Sequence, residues 1–164
     1  MSSTPIIIES LFLIVSMVAF SAFTAVYLSN SSLISDFQRS SLSALRDRYQ
    51  TDVRIVFAFY DADHGSLRIF VKNVGNKDIS KGELRLIDLY LISSQRAERY
   101  SYSDDGAPGS WVYRLINDLD MDGKWSRGET VEITVVPLSA LTAGDYVVRI
   151  VLHNGLSFDG YFSL

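Results

Sequence analysis

A chain of 164 residues, 48% hydrophobic and 21% charged, has room for one domain with a sizeable core. Its 15 Lys plus Arg against 19 Asp plus Glu give a net charge of −4 with no basic block, which argues against nucleic acid as a partner, because that role needs a Lys/Arg face to displace counterions. The absence of Cys excludes disulfides, thiolate metal sites, iron–sulfur clusters and cysteine nucleophiles, and His64 and His153 alone are too few for a multi-histidine metal site.

The run Ile6–Leu28 holds a single charge, Glu9. At about 1.5 Å per residue a helix over this run is about 34 Å long, enough to cross a hydrocarbon core of about 30 Å with some tilt. A secretory signal peptide would have a basic n-region and a shorter apolar core. Met1–Pro5 contains no Lys or Arg, so an uncleaved transmembrane helix within residues 1–30 is expected. Glu9 lies about one turn inside, where a carboxylate can snorkel to the headgroups and sits near the positive end of the helix dipole. Ile6-Ile7-Ile8-Glu9 is also similar to the start of type IV pilin-like helices. The basic residue and Gly that precede the pilin processing site are absent, so no pilin-type cleavage is expected.

Residues 31–50 form a Ser-rich connector. Leu42, Leu45 and Tyr49 have helical spacing, which predicts a short helical stalk, but the serines break the stripe and a long coiled coil is not supported. Asn30-Ser31-Ser32 matches the glycosylation pattern but abuts the membrane, where an enzyme has little access.

From residue 51 to 164 the period changes to two. Alternating segments fall at Asp52–Tyr60, Ser66–Lys72, Glu83–Ile92, Trp111–Ile116, Thr130–Val136, Asp145–Leu152 and Leu156–Ser163, separated by turn signals such as Asp63-His64-Gly65 and Asn154-Gly155. Short strands at this spacing predict an all-β, antiparallel β-sandwich. Val53, Ile55, Phe57, Ile69, Val71, Leu84, Val135, Val148 and Ile150 are its expected core. No Gly-rich phosphate loop or nucleophile elbow occurs, and no acid–base constellation points to an enzyme. His153 reads as a strand-end residue, and the many Tyr and Trp residues as core, sheet face or binding patch.

One motif is specific. Asp118-Leu119-Asp120-Met121-Asp122-Gly123, then five residues and Glu129, fills every fixed position of a calcium-loop pattern. Asp118, Asp120 and Asp122 would converge on one hard cation, Lys124 would add its backbone carbonyl, and Glu129 would close the site. Gly123 permits the sharp turn. The flanks read as strands, so this is not an EF-hand domain. The alternative is a solvated acidic turn with Trp125 in the core and Glu129 opening the next strand. Ca²⁺ is thus a candidate cofactor, with four carboxylates that repel one another without a cation.

The early Glu in an apolar helix, the stalk, and the stretches T-D-V-R-I and L-R-I-F-V-K-N-V-G-N ahead of an all-β domain together resemble the accessory proteins of the archaellum, the archaeal flagellum: flagellar proteins F and G. Thr51, Asp52, Ile55, Phe70, Lys72, Asn73, Gly75 and the Pro5–Leu28 helix carry the resemblance. It implies a single-pass protein of the cytoplasmic membrane with an immunoglobulin-like β-sandwich between the membrane and the S-layer. It further implies a non-enzymatic stator or anchor that binds S-layer protein, forms a homodimer and partners a G-type protein. The F-type is favoured by the long all-β domain and the lack of a filament-forming tail. The calcium-type loop is not part of the family pattern. Charge bias opposes the external topology weakly, since Arg39, Arg46 and Arg48 follow the helix and no basic residue precedes it. A pilin-like or adhesion filament subunit and a membrane-tethered glycan-binding module are the alternatives.

Overall fold

The computed structural model describes residues 4–164; residues 1–3, the start of the n-region weighed above, lie outside the described residues. The chain divides into two compact units, Met1–Leu45 and Arg46–Leu164. Helix α1 runs Thr4–Gln50, so the Ser-rich segment after Leu28 is helical as well. Among the described residues it is the one helix long and apolar enough to cross a membrane. Its apolar side chains, Leu11, Phe12, Ile14 and Phe20 among them, are exposed. The hydroxyls in this stretch bond back onto their own helix: Ser16 Oγ to the Phe12 carbonyl at 2.8 Å, Ser21 Oγ to Met17 at 2.7 Å and Thr24 Oγ1 to Phe20 at 2.8 Å. That leaves no hydroxyl hydrogen seeking a partner on the apolar surface, which is how Ser and Thr are tolerated there.

The second unit is mostly sheet. Its strands, among the described residues, are β1 (Val53–Asp61), β2 (Ser66–Asn73), β3 (Asp88–Ser93), β4 (Ala97–Tyr102), β5 (Ser110–Leu115), β6 (Thr130–Val136), β7 (Asp145–Val151) and β8 (Ser157–Ser163), with a single turn of helix, α2 (Lys81–Leu84), before β3. They form one sheet in the order β1-β2-β6-β5-β4-β3-β7-β8. All neighbours are antiparallel except β4 and β5, which pair in parallel through Ser101–Ser110 and Tyr102–Trp111. The two edges meet: a Cβ on Gly160 of β8 would stand 2.7 Å from Ile55 Cγ2 of β1. The strands are therefore joined into one barrel-like sheet rather than the two separate sheets expected. Period-two alternation is the same in both architectures, because each buries one face of every strand; the short parallel pairing of β4 with β5 is what differs, and no local pattern encodes it.

Two element assignments change. Glu83 and Leu84 belong to α2, not to a strand, because Ser80 and Glu83 form a capping box: Glu83 Oε2 accepts from the Ser80 backbone N–H at 2.7 Å and Ser80 Oγ accepts from the Glu83 N–H at 3.3 Å. Strand β4, Ala97–Tyr102, was not expected, as its alternation holds only Tyr100 deeply buried.

The core contains Val53, Ile69, Val71, Leu84, Val135, Val148 and Ile150 as expected, joined by Leu67, Tyr100, Trp111, Trp125 and Ile133. Ile55 is half-buried against it. Phe57 is the exception, 58% exposed. Ile55 pairs with Val71 and Phe57 with Phe70, so Val56 is an extra residue, a β-bulge. One added residue flips every later side chain. Ala58 and Tyr60 turn towards the core, and Val56, Phe57 and Phe59 face outwards.

The N-V-G-N stretch after β2 is structural. Asn73 is buried, and its Nδ2 donates to the carbonyls of Lys77 and Trp125, both at 2.8 Å. Gly75 donates to the Asp52 carbonyl at 2.8 Å, and a Cβ there would lie 2.4 Å from the Gln50 carbonyl oxygen and 2.5 Å from the Asp52 nitrogen. Both obstacles are backbone and neither can step aside. Gly75→Ala is expected to cost about 1–3 kcal/mol, as overpacking does, read as a lower urea midpoint with an unchanged m-value.

Candidate functional site

The acidic loop joins β5 to β6 and is held from several sides. At its base Thr130 N–H donates to Asn117 Oδ1 at 2.6 Å. Trp125 is fully buried, its Nε1 donates to the Glu129 carbonyl at 3.0 Å, and its backbone pairs with Ile79 in an isolated bridge. Glu129 is 1% exposed; Oε1 accepts from Leu119 N–H at 2.6 Å and Oε2 from Ser126 N–H at 2.8 Å, so the carboxylate caps the two halves of the loop. Asp118 Oδ2 accepts from Gly123 N–H at 3.0 Å. Gly123 has φ 70° and Met121 has φ 58°; only the first suits its residue, and the second costs roughly 1–2 kcal/mol.

The structure brings together three of the residues singled out from the sequence. One carboxylate oxygen from each of Asp118, Asp120 and Glu129 lies within 4.8 Å of the others. Asp118 Oδ1 is buried without a hydrogen-bond donor. Asp122 stands apart from the cluster: it accepts from Lys124 backbone N–H at 2.7 Å and from Lys124 Nζ at 2.8 Å, and these bonds hold its carboxyl below the usual range. Lys124 thus enters the loop through its ammonium and its N–H. Both sequence readings hold a part of the geometry, since Trp125 is core, while Asp118, Asp120 and Glu129 form an oxygen-rich cluster suited to a hard divalent cation.

A second cluster was not legible. Lys77 Nζ lies 2.7 Å from Asp47 Oδ1, 2.9 Å from Glu83 Oε1 and 3.1 Å from His153 Nε2, so the last turn of α1, α2 and the loop after β7 share one ammonium. His153, just past the end of β7, is half-buried here, with Glu83 at 3.2 Å. Burial alone would raise the Glu83 carboxyl, but the Ser80 N–H, the Lys77 ammonium and the Ser80 hydroxyl hold it at about 2, against an ordinary 4.5. A carboxyl depressed on folding contributes stability in full above 4.5 and loses it as pH falls from 4.5 towards 2. Glu83→Gln is therefore expected to destabilise at pH 6 and to approach the unsubstituted chain at pH 2.5, by urea titration at the two values.

The third feature is the outward face made by the bulge. Phe57, Phe59 and Phe70 touch with ring centroids 5.4, 6.5 and 6.3 Å apart, and Val56 and Ile116 extend the apolar surface. Beside it Glu132 is buried under two guanidinium groups, Arg114 at 2.7 Å and Arg68 at 3.4 Å.

No protein-family profile matches the chain. An uncharacterized protein of Archaeoglobus fulgidus is 28% identical over 162 residues, spanning 96% of this chain and 97% of its own length. Among solved structures, the archaellum periplasmic stator protein FlaG of Sulfolobus acidocaldarius matches with a TM-score of 0.56 and 21% identity over 68% of this chain and 99% of that one. The complex of the archaellum periplasmic stator proteins FlaF and FlaG from the same organism matches with a TM-score of 0.54 and 21% identity over 67% of this chain and 87% of that one. The shared property at this identity is the fold.

Proposed function

We propose that this chain is a non-enzymatic, membrane-anchored component of the archaeal motility machinery. Its α1 spans the cytoplasmic membrane once, and its β unit stands on the external side, binds the S-layer and serves as a stator, with a G-type protein as neighbour. The carrying observation is the match of the barrel-like unit to nearly the whole of a periplasmic stator domain, in a chain whose N-terminal helix is of membrane-spanning length. The F-type role belongs to this reading, supported by the all-β domain that follows the helix. The hydroxyl back-bonding within α1 and its exposed apolar side chains support the anchor.

The loop Asp118–Glu129 takes a divalent cation, Ca²⁺ before Mg²⁺, through Asp118, Asp120 and Glu129. The unpartnered buried oxygen of Asp118 favours this reading over a plain solvated turn. Such a cation would brace the loop without taking part in any reaction. S-layer binding is tested with residues 46–164, which hold a closed core of their own. Immobilised on beads, this unit is expected to retain purified S-layer protein of its host. No retention at micromolar concentrations would remove the S-layer from the account.

A further inference from the structure

The end of the barrel away from the acidic loop carries a cavity of about 310 Å³. Strand β6 fixes the two ends: the acidic loop precedes Thr130, and the loop after Val136 forms one wall of the cavity. The other wall is the hairpin turn from β3 to β4, and the walls meet where Ser93 pairs with Tyr146. Each wall is held by bonds of its own. Ser93 Oγ accepts from the Gln95 N–H at 3.3 Å and the Arg96 N–H at 3.2 Å, so one hydroxyl holds the hairpin turn. Tyr146 Oη donates to the Thr142 carbonyl at 2.8 Å and accepts from the Thr142 N–H at 3.2 Å. Arg96 Nη2 donates across the cavity to Ser139 Oγ at 3.3 Å and ties one wall to the other.

These bonds leave a second set of polar groups unused. The Ser94 hydroxyl and the Gln95 side-chain amide have no hydrogen-bond partner among the described residues. Asp145 accepts from Ser163 Oγ through Oδ1 at 2.7 Å and keeps Oδ2 for another donor. The charges on the lining are a single guanidinium, Arg96, which Glu98 engages at 3.1 Å, and a single carboxylate, Asp145. Ala140 and Ala143 supply its aliphatic side chains.

Most small-molecule sites are lined mainly by apolar groups with a few polar ones. This lining is the reverse, so its occupant must be polar over its whole surface and carry no net charge. Its groups must also serve donors and acceptors alike, because an amide and a hydroxyl offer both, a carboxylate only accepts and a guanidinium only donates. Alcohol hydroxyls satisfy all of these partners. An inorganic ion satisfies only half of them, and an extended peptide would press apolar side chains against hydroxyls.

We propose that this cavity is a saccharide-binding site, in which Ser94, Gln95, Arg96 and Asp145 hydrogen-bond the hydroxyls of a neutral sugar. The fixed walls keep the ordering cost of binding low. The volume stands at the lower end of the range for ligand cavities, which suits a short saccharide. The inference neither rests on the motility reading nor uses the acidic loop.

Saturation-transfer NMR on the full chain in phosphatidylcholine nanodiscs tests it, with glucose, mannose, galactose and N-acetylglucosamine each added at millimolar concentration. At least one of these sugars is expected to receive saturation above the level of empty nanodiscs. Ala143→Trp fills the cavity from an exposed position and should lower that signal severalfold. Gln95→Ala combined with Asp145→Ala should do the same by removing the unused polar groups. Leu119→Ser, at the other end of the barrel, should leave the signal unchanged. All of these positions are exposed, and an unchanged thermal midpoint verifies folding. No saturation of any of the sugars, or a signal that survives Ala143→Trp and the double substitution, would overturn the site.

Discussion

Calcium at about 10 mM is expected to raise the thermal midpoint of the β unit by roughly 10–15 °C over the same sample in chelator. Extracellular calcium modules have dissociation constants of about 10⁻⁴ to 10⁻³ M. At about 100 times Kd, a ligand that binds only the folded chain stabilises it by about 2.7 kcal/mol. For a domain of this size one kcal/mol moves the midpoint by several degrees. The donor set is already gathered, with Asp118, Asp120 and Glu129 within 4.8 Å of one another, so little ordering is left for the ion to impose. Asp120→Ala is expected to abolish the shift. Asp122→Ala should retain most of it, because Asp122 is engaged by Lys124 and stands outside the cluster. That difference separates this geometry from the simple pattern, in which all three aspartates ligate alike. Protons compete for the same oxygens, so the shift should shrink as pH falls towards 4. An unchanged midpoint with Ca²⁺ would leave the loop a solvated turn.

Trp125→Ala is expected to destabilise the β unit by about 3–5 kcal/mol, as emptying a large aromatic site does. Trp125 is fully buried, its indole N–H satisfies the Glu129 carbonyl, and its backbone pairs with Ile79. Its removal leaves a cavity and takes one of two donors from the Glu129 carbonyl, which keeps the Asn73 N–H at 2.9 Å. A domain with 5–15 kcal/mol of total stability would lose a large part of it. Trp125→Phe keeps most of the volume but not the hydrogen bond, so it should cost distinctly less. Urea midpoints for the two variants decide the matter, and a loss below 1 kcal/mol for Trp125→Ala would show that the loop is not anchored through its indole. Because Trp125 ties the loop to the core, its loss should also weaken any response to Ca²⁺.

Legibility from sequence followed the range of the interaction. The apolar run Ile6–Leu28 and the alternation of Leu67, Ile69 and Val71 are local patterns, and both elements form where expected. Asp118, Asp120 and Glu129 were legible because their spacing is chemical. The bulge at Val56 was not, since Val53, Ile55, Phe57 and Phe59 fall at alternate positions and only pairing with β2 shows the extra residue. The capping box of α2 was present as Ser80-Lys81-Gly82-Glu83 and was outweighed by the apolar residues after it. Closure of the barrel rests on Ile55 meeting Gly160 and on Tyr102 beside Trp111, contacts far apart in the chain. The Lys77 cluster joins Asp47, Glu83 and His153, and no motif links residues so widely spaced.

The most direct test of the central reading is swimming in semi-solid agar by a strain of the source organism lacking this gene, alongside the same strain carrying it on a plasmid. The account predicts that the deletion abolishes swimming and that the plasmid copy restores it, whereas the plasmid copy cut back to residues 46–164 does not. Normal swimming in the deletion strain would contradict a role in the motility machinery and leave the fold without that function.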